Sequence, residues 1–290
     1  MNKKNICNYF LIFILSFTFL LIGKIYYRRI FNQYKFIVNI IRINFKNKNF
    51  KNCNIKFIDY IPQNSILIIG HAYGSSSINK NQFISPKVKS LLDQNRSFID
   101  ILILTGDVFE FPTTAKWKKL YERYANNFKI FVTPGNHDYG QADINKKKNI
   151  INTNYLNYPF YLKKDNYNFI LEDSFKQNWQ INKKIFLGLS KSKENYKNIL
   201  LRHNIAIYEF LDLANSKEGL STDLPFMEDL SKKILQNLII ISGDAGASPD
   251  LPSFYCKEFR NIKVIANGIG NFNKDSILVL SEGNIFRYKI

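Results

Sequence analysis

Cysteine is scarce in this chain of 290 residues, which has only three. They are Cys7, Cys53 and Cys256, and no two of them have the C-x-x-C spacing. We therefore predict neither a disulfide framework nor a cysteine-based zinc site. The length is sufficient to bury a substantial core, in one large domain or two modest ones.

Acidic residues are also few, since 41 Lys and Arg residues stand against 23 Asp and Glu residues, for a net charge of +18. Such a surface favours anionic partners, phosphorylated substrates among them. The basic residues are nevertheless spread through the whole chain, and no base-reading or single-strand-binding motif accompanies them. We therefore do not expect specific binding of nucleic acid.

Charge is absent altogether from the stretch between Ile6 and Gly23. A helix over this stretch would be about 27 Å long, close to the thickness of a bilayer core. The alternative is a cleaved signal peptide, which has a shorter apolar region and a small-residue cleavage site, whereas basic residues follow here from Lys24. We predict a retained membrane anchor over residues 1–23. The basic residues that follow it predict a single-pass protein with its catalytic part on the cytoplasmic side.

Two further parts follow the anchor. Residues 24–53 form a basic juxtamembrane linker, in which apolar and basic residues alternate from Phe31 to Lys51. This segment is either an interfacial helix on anionic lipid or a linker helix packed on the domain. Residues 54–290 form the globular domain. Within it, residues 144–182 are rich in Asn, Lys and Tyr without clear periodicity, and we expect them to be an insertion or cap.

Apolar runs alternate with helical patterns in the domain, which predicts an α/β fold. We expect strands at residues 65–69, 99–104, 129–132, 185–189, 199–203, 238–242, 262–266, 276–280 and 284–289. Helices are expected near residues 86–95, 116–126 and 224–235. The second helix carries an aromatic stripe at spacings of three, four and seven, which is typical of a core-facing side.

Histidine is the scarcest polar residue, with three in the chain, and each lies where a strand-like run ends. Five strands end in polar residues of this kind: His71, Asp107, Asn136 with His137, His203, and Asp244. Strand ends converge on one edge in layered α/β folds, so we expect these side chains to meet. Imidazole, carboxylate and amide donors suit Mn, Fe, Zn or Ni, as one or two divalent transition-metal ions. Two such ions can bind a phosphoryl group and activate a water.

The turn of residues 133–138 is the most informative of these sites. Gly135 allows backbone conformations closed to other residues and Pro134 stiffens the approach, so that Asn136, His137 and Asp138 can be aimed from a strand end. An ordinary Asn/Asp turn with an incidental histidine is the simpler alternative.

These motifs resemble those of the calcineurin-like metallophosphoesterase family, over about residues 65–270. Gly106–Glu110 is similar to the family's G-D-x-x-D, with Glu in the last place, and Gly135–Asp138 is an intact G-N-H-D. His203 resembles the family's lone histidine. The outer motifs depart from the pattern: His71 and Tyr73 stand where D-x-H is expected. Asp244 and Gly246 stand where the last motif, G-H-x-H, has its two histidines.

The resemblance implies a four-layer αββα sandwich of two mixed sheets flanked by helices. It implies that Asp107 bridges two metal ions and that Asn136, His203 and Asp244 complete one of the two sites. The other site would retain His71 with Asp107, and so it would be weak or empty.

Catalytic roles also follow from the resemblance. His137 would act as general acid or stabilise the transition state near the leaving group, with Asp138 orienting it. Arg202 is a weaker candidate for clamping a phosphate. Simpler roles stay open for several of these residues, namely a strand cap for His71, a core histidine at His203 and an ordinary turn at Asp244.

The expected function is therefore that of a membrane-anchored, metal-dependent phosphoesterase of variant type. Its substrate would be a phosphorylated small molecule or a lipid-linked phosphate. Because the outer motifs are altered, the alternative is a phosphoesterase-like domain without catalysis that serves as a binding or scaffold protein at the membrane.

Overall fold

The strands of the domain form two mixed β-sheets. The computed structural model describes residues 51–75, 83–139, 157–175, 185, 189, 196–204, 238–246, 253–259, 262–270 and 274–290. The strands within these ranges are β1 (Lys51–Asn52), β2 (Phe57–Ile58), β3 (Ser65–Ile69), β4 (Ile99–Leu104), β5 (Lys129–Val132), β6 (Phe160–Lys164), β7 (Tyr167–Leu171), β8 (Lys197–Arg202), β9 (Leu238–Ser242), β10 (Phe254–Phe259), β11 (Ile262–Asn267), β12 (Ser276–Ser281) and β13 (Asn284–Lys289).

Each sheet has a parallel block at its heart. The first sheet has the order β2-β13-β12-β3-β4-β5, and β3, β4 and β5 run parallel to one another. The second sheet has the order β1-β10-β11-β9-β8-β7-β6, and β7, β8, β9 and β11 are parallel. The carboxyl ends of neighbouring parallel strands lie at the same edge of a sheet, so each block collects its following loops at one edge.

Strand β3, inside the first sheet, is buried on both faces. Because successive side chains of a strand point to opposite faces, Ile66 and Ile68 of β3 pack in the cluster shared with the second sheet. Leu67 and Ile69 of the same strand pack in a separate cluster with the helices. This double burial explains why the strand is continuously apolar instead of alternating between apolar and polar residues.

Two helices cover the outer face of the first sheet. Helix α1 spans Pro86–Gln94, with proline in its first turn, and helix α2 spans Thr114–Tyr124. The second helix begins two residues earlier than expected because the Thr113 side chain accepts a hydrogen bond from the backbone N–H of Lys116, which caps the helix. Trp117 is buried in the cluster beneath this helix, together with Leu120 and Tyr124, which confirms the predicted core stripe.

Two sequence-based expectations about the second half of the domain are wrong. Strands β6 and β7 lie inside the segment expected to be an insertion or cap, and they form one end of the second sheet. Ile185 and Leu189, in a stretch expected to be a strand, are helical and buried. A short apolar run suits a strand or a buried helix equally, and only the packing decides between them. The helix expected at residues 224–235 lies outside the described residues.

The predicted anchor, residues 1–23, and most of the linker, residues 24–50, also lie outside the described residues. Among the residues that the structure does describe, no helix is both long and apolar enough to cross a membrane.

Cys53 and Cys256 are joined by a disulfide, although the spacing of the three cysteines predicted no disulfide framework. The bond ties the segment between β1 and β2 to β10 across 203 residues of sequence. Closing so long a loop restricts the unfolded chain, a stabilisation of about 2–5 kcal/mol. Sequence spacing could not reveal this pair, because a disulfide depends on proximity in the fold.

Candidate functional site

The site lies where strand ends of the two sheets meet. The backbone N–H of His71, after β3, donates to the carbonyl of Gly106, after β4, at 3.1 Å. The carbonyl of Thr105 in turn lies 3.1 Å from Nδ1 of His203, which follows β8 in the other sheet. These contacts bring three strand ends together, as the sequence predicted for polar residues at such positions.

Asp107 is the centre of the cluster, and its carboxylate is almost completely buried. Its Oδ2 lies 3.2 Å from Nε2 of His71, and its Oδ1 lies 3.4 Å from Nε2 of His203. Oδ1 also accepts the backbone N–H of His137 at 3.1 Å. Each carboxylate oxygen therefore faces a different imidazole, one from each sheet.

The charges of this cluster are mutually dependent. Burial alone would raise the pKa of Asp107, but His203 and His71 beside it hold that pKa well below its usual value. Burial alone would lower the pKa of His203, but the charge of Asp107 raises it to about 10. Without a metal ion, Asp107 and His203 thus form a buried carboxylate–imidazolium pair.

The three histidines differ in exposure and in their second contacts. The side chains of His71 and His203 are 3% and 1% exposed, whereas that of His137 is 20% exposed. Nδ1 of His137 lies 3.0 Å from the backbone carbonyl of Glu110, and its Nε2 lies 4.0 Å from Asp107 Oδ2. His137 is therefore the histidine of this cluster that is most open to a ligand.

Asp138 has a different role from the one expected. Its Oδ2 accepts the backbone N–H groups of Asp107 and Gly135, and its Oδ1 accepts that of Val108. The carboxylate is completely buried, so it holds the two site turns together instead of orienting the His137 ring. Burial, and then the charge of Asp107, raises the pKa of Asp138 to about 6.

The turns at the site are strained and tightly packed. His71 and Asp107 both have φ of 53°, a conformation that costs energy for residues with a side chain and recurs at functional sites. Gly135 lies against the carboxylate of Asp107. A Cβ atom added at position 135 would collide with Asp107 Oδ1. Glycine is thus required at position 135 by close approach.

Tyr73 lies on one flank of the cluster. Its ring centroid lies 4.7 Å from that of His71 and 5.6 Å from that of His137. Burial, and then the charge of Asp107, raises the pKa of its hydroxyl above the usual value, so the phenol stays neutral.

The remaining predicted ligands are more exposed than Asp107. Asn136 is exposed and Asp244 is half-buried, and Asp244 acts on His203 through its charge. Within the described ranges, no group of three or more His, Cys, Asp or Glu side chains is spaced to hold a metal ion. The donor types nevertheless fit a divalent transition metal. In particular, His203 presents Nε2 to Asp107 while its Nδ1 is bonded to a carbonyl, the arrangement typical of metal-binding histidine.

Arg202 is not presented to a ligand, contrary to expectation. Its side chain is fully buried, with Nε 3.4 Å from Oε2 of Glu172, which follows β7. The next residue, Asp173, accepts a hydrogen bond from the hydroxyl of Tyr139, which directly follows the Asn136–Asp138 turn. Sequence reasoning missed both acidic residues. They follow an apolar strand, the same signal that identified Asp107, but this strand lay in the presumed cap.

We predict that Gly135→Ala displaces the carboxylate of Asp107, because the new methyl group needs the space that Oδ1 occupies. The free energy of unfolding should fall by about 1–3 kcal/mol, and the imidazole NMR signals of His203 should shift. The control is Gly283→Ala, where φ is 75° but no atom lies within 4 Å of the added Cβ. That variant should lose about 1–2 kcal/mol with unchanged imidazole signals. Unchanged signals in Gly135→Ala would contradict the predicted displacement.

A comparison with protein-family models agrees with this geometry. No curated protein sequence matches the chain. A family model described as calcineurin-like phosphoesterase matches residues 83–268, more than half of the chain. The match begins beyond Tyr73 and includes Asp107, the Asn136–Asp138 turn, His203 and Asp244. The chain therefore belongs to the calcineurin-like phosphoesterase family.

Proposed function

We propose that this protein hydrolyses phosphoesters with the help of a divalent metal ion. Membership of the family supports metal-dependent phosphoester hydrolysis in general. The observation that carries the proposal for this chain is the buried carboxylate of Asp107, whose two oxygens face the Nε2 atoms of His71 and His203. Burying a charged carboxylate costs free energy even when it is paired, and buried groups with strongly shifted pKa values cluster at functional sites.

The metal would be held at Asp107, with His203 as the second donor. Asn136 and Asp244, which belong to turns at the same site, are the proposed further ligands, and His71 faces the other oxygen. When bound, a divalent cation neutralises phosphoryl charge and makes water a stronger nucleophile near neutral pH. Mn, Fe, Zn and Ni all suit this set of nitrogen and oxygen donors.

His137 is the proposed general acid. Its Nδ1 donates to the carbonyl of Glu110, which fixes the ring and leaves Nε2 directed to the site. In the doubly protonated form, His137 gives its Nε2 proton to the leaving oxygen as the P–O bond breaks and water adds to phosphorus. The neutral ring then takes up the proton that the attacking water releases. Its partial exposure supports this role, because a leaving group must reach the ring.

The proposed substrate is a phosphorylated small molecule or a lipid-linked phosphate. The net charge of +18 supports an anionic substrate. The proposed anchor at residues 1–23 would bring the domain close to lipid-linked phosphates. We also propose the full four-layer sandwich, in which helical Ile185 and Leu189 would belong to the second helical layer.

For its location, we propose that the domain follows a retained anchor and faces an oxidising compartment. The basic residues after the anchor favour the cytoplasmic side, but the disulfide between Cys53 and Cys256 supports the opposite side, since such bonds are rare in reducing compartments.

If the domain faces an oxidising compartment, N-ethylmaleimide added to intact cells, and kept present while the cells are dissolved in denaturant, should modify one cysteine per chain, Cys7. Mass spectrometry of the intact chain counts the adducts. Treatment with a reductant before alkylation is the control and should give three adducts. Three adducts without reductant would favour the cytoplasmic orientation.

A scaffold without catalysis is the second candidate. The altered residues Tyr73 and Gly246 and the exposed Asn136 favour it, because each removes or displaces a donor that the family pattern expects. This candidate predicts that the chain binds no metal under any condition and hydrolyses no phosphoester.

We predict that Asp107→Ala abolishes both metal binding and hydrolysis, because it removes the carboxylate that the other donors face. Metal content is measured by elemental analysis after incubation with Mn²⁺, and hydrolysis with p-nitrophenyl phosphate and bis(p-nitrophenyl) phosphate. The loss of activity should exceed about 100-fold, which is the largest loss typical of variants in residues that only support a metal ligand. Asp59→Ala, which alters an exposed aspartate before β3, is the control and should keep both properties. Full activity in Asp107→Ala would refute the proposed function.

We predict that the cost of His137→Ala depends on the leaving group. An alkyl phosphate needs a proton on its departing oxygen, so its hydrolysis should slow by roughly 10²–10⁴-fold. Hydrolysis of p-nitrophenyl phosphate should slow much less, because p-nitrophenolate leaves without protonation. Metal content should equal that of the wild type. An equal loss for both substrates would show that His137 is not the acid.

A further inference from the structure

The two histidines that face Asp107 differ at the nitrogen on the far side of each ring. Nδ1 of His203 lies 3.1 Å from the carbonyl of Thr105. Nδ1 of His71 is buried without a hydrogen-bond partner among the described residues. A histidine that binds metal through Nε2 carries its hydrogen on Nδ1, and that N–H almost always donates to an acceptor. His203 meets this requirement and His71 does not.

The hydrogen of His71 therefore belongs on Nε2. A buried N–H without an acceptor is rarer and more costly than an unused lone pair, so the tautomer with a bare Nδ1 is favoured. In that tautomer the Nε2–H of His71 donates to Asp107 Oδ2 across 3.2 Å. A nitrogen that carries a hydrogen has no lone pair left for a cation.

The packing around His71 and the backbone of the turn after β9 also oppose a second ion. The Tyr73 ring packs against both His71 and His137 beside Oδ2. The turn after β9 offers no side-chain donor at Gly246, whose φ is +67°. A Cβ atom added there would lie 3.1 Å from the Gly268 carbonyl oxygen, so this turn is built without a side chain.

We infer that the site takes a single divalent ion, on the Oδ1 side of Asp107 with His203 as a ligand, and that His71 is a hydrogen-bonding partner of Oδ2. This inference rests on the proposed metal-dependent function. His71 then has a positioning role. Its Nε2–H donates to Oδ2 of Asp107, and this hydrogen bond takes the place of a second cation at that oxygen.

The test uses Mn²⁺ and the purified full chain. Equilibrium dialysis at saturating Mn²⁺ gives the number of ions per chain. Electron paramagnetic resonance distinguishes an isolated ion, with a six-line spectrum, from a spin-coupled pair. Spin-echo modulation detects imidazole nitrogen bound to the ion. The variants are His203→Ala and His71→Asn, since Asn tolerates positive φ and keeps an N–H donor.

The inference expects one isolated ion per chain with coordinated imidazole nitrogen. His71→Asn should keep that ion and the nitrogen signal, with affinity reduced by at most about 100-fold, whereas His203→Ala should lose the ion. Two spin-coupled ions in the wild type would overturn the inference, as would loss of the ion or of its nitrogen signal in folded His71→Asn. If that variant does not fold, the wild-type ion count decides.

Hydrolysis of bis(p-nitrophenyl) phosphate in the same samples separates this inference from the proposed function. Two ions with hydrolysis would overturn the inference alone. One isolated ion without hydrolysis of any phosphoester would support the inference and overturn the proposed function. No ion and no hydrolysis would overturn both.

Discussion

The burial of one carboxylate governs the construction of this protein. Asp107 is only 2% exposed, and a buried charge is tolerated only when opposite charges and hydrogen bonds surround it. His71 and His203 supply two of these partners, and the backbone N–H of His137 supplies another. The strand ends of both sheets have to meet at this point for the carboxylate to be satisfied.

A second carboxylate makes that meeting possible. Asp138 accepts backbone N–H groups from its own turn and from the turn of Asp107, so the two turns are held as one unit. Three such hydrogen bonds offset part of the cost of burying the charged group. The G-N-H-D motif thus combines two tasks in adjacent residues, since His137 faces the site while Asp138 supports the backbone beneath it.

The two sides of Asp107 differ in what they offer a cation. On the side of Oδ2, Tyr73 packs against His71, whose second nitrogen is unbonded within the described part of the chain. On the other flank, His203 keeps the geometry of a metal ligand and Asp244 adds negative charge. The two carboxylate oxygens of Asp107 therefore have different surroundings.

The sequence by itself determined the elements and the site positions that depend on local patterns. Strand β3 and helix α2 follow from apolar periodicity, and Asp107, His137 and His203 follow from polar residues placed directly after strands. Only the tertiary structure decided the Cys53–Cys256 disulfide, the pairing of Arg202 with Glu172, the hydrogen bonds of Asp138 and the helical state of Ile185. Each of these depends on a neighbour distant in the chain, and local pattern contains no information about which distant residue will supply the contact.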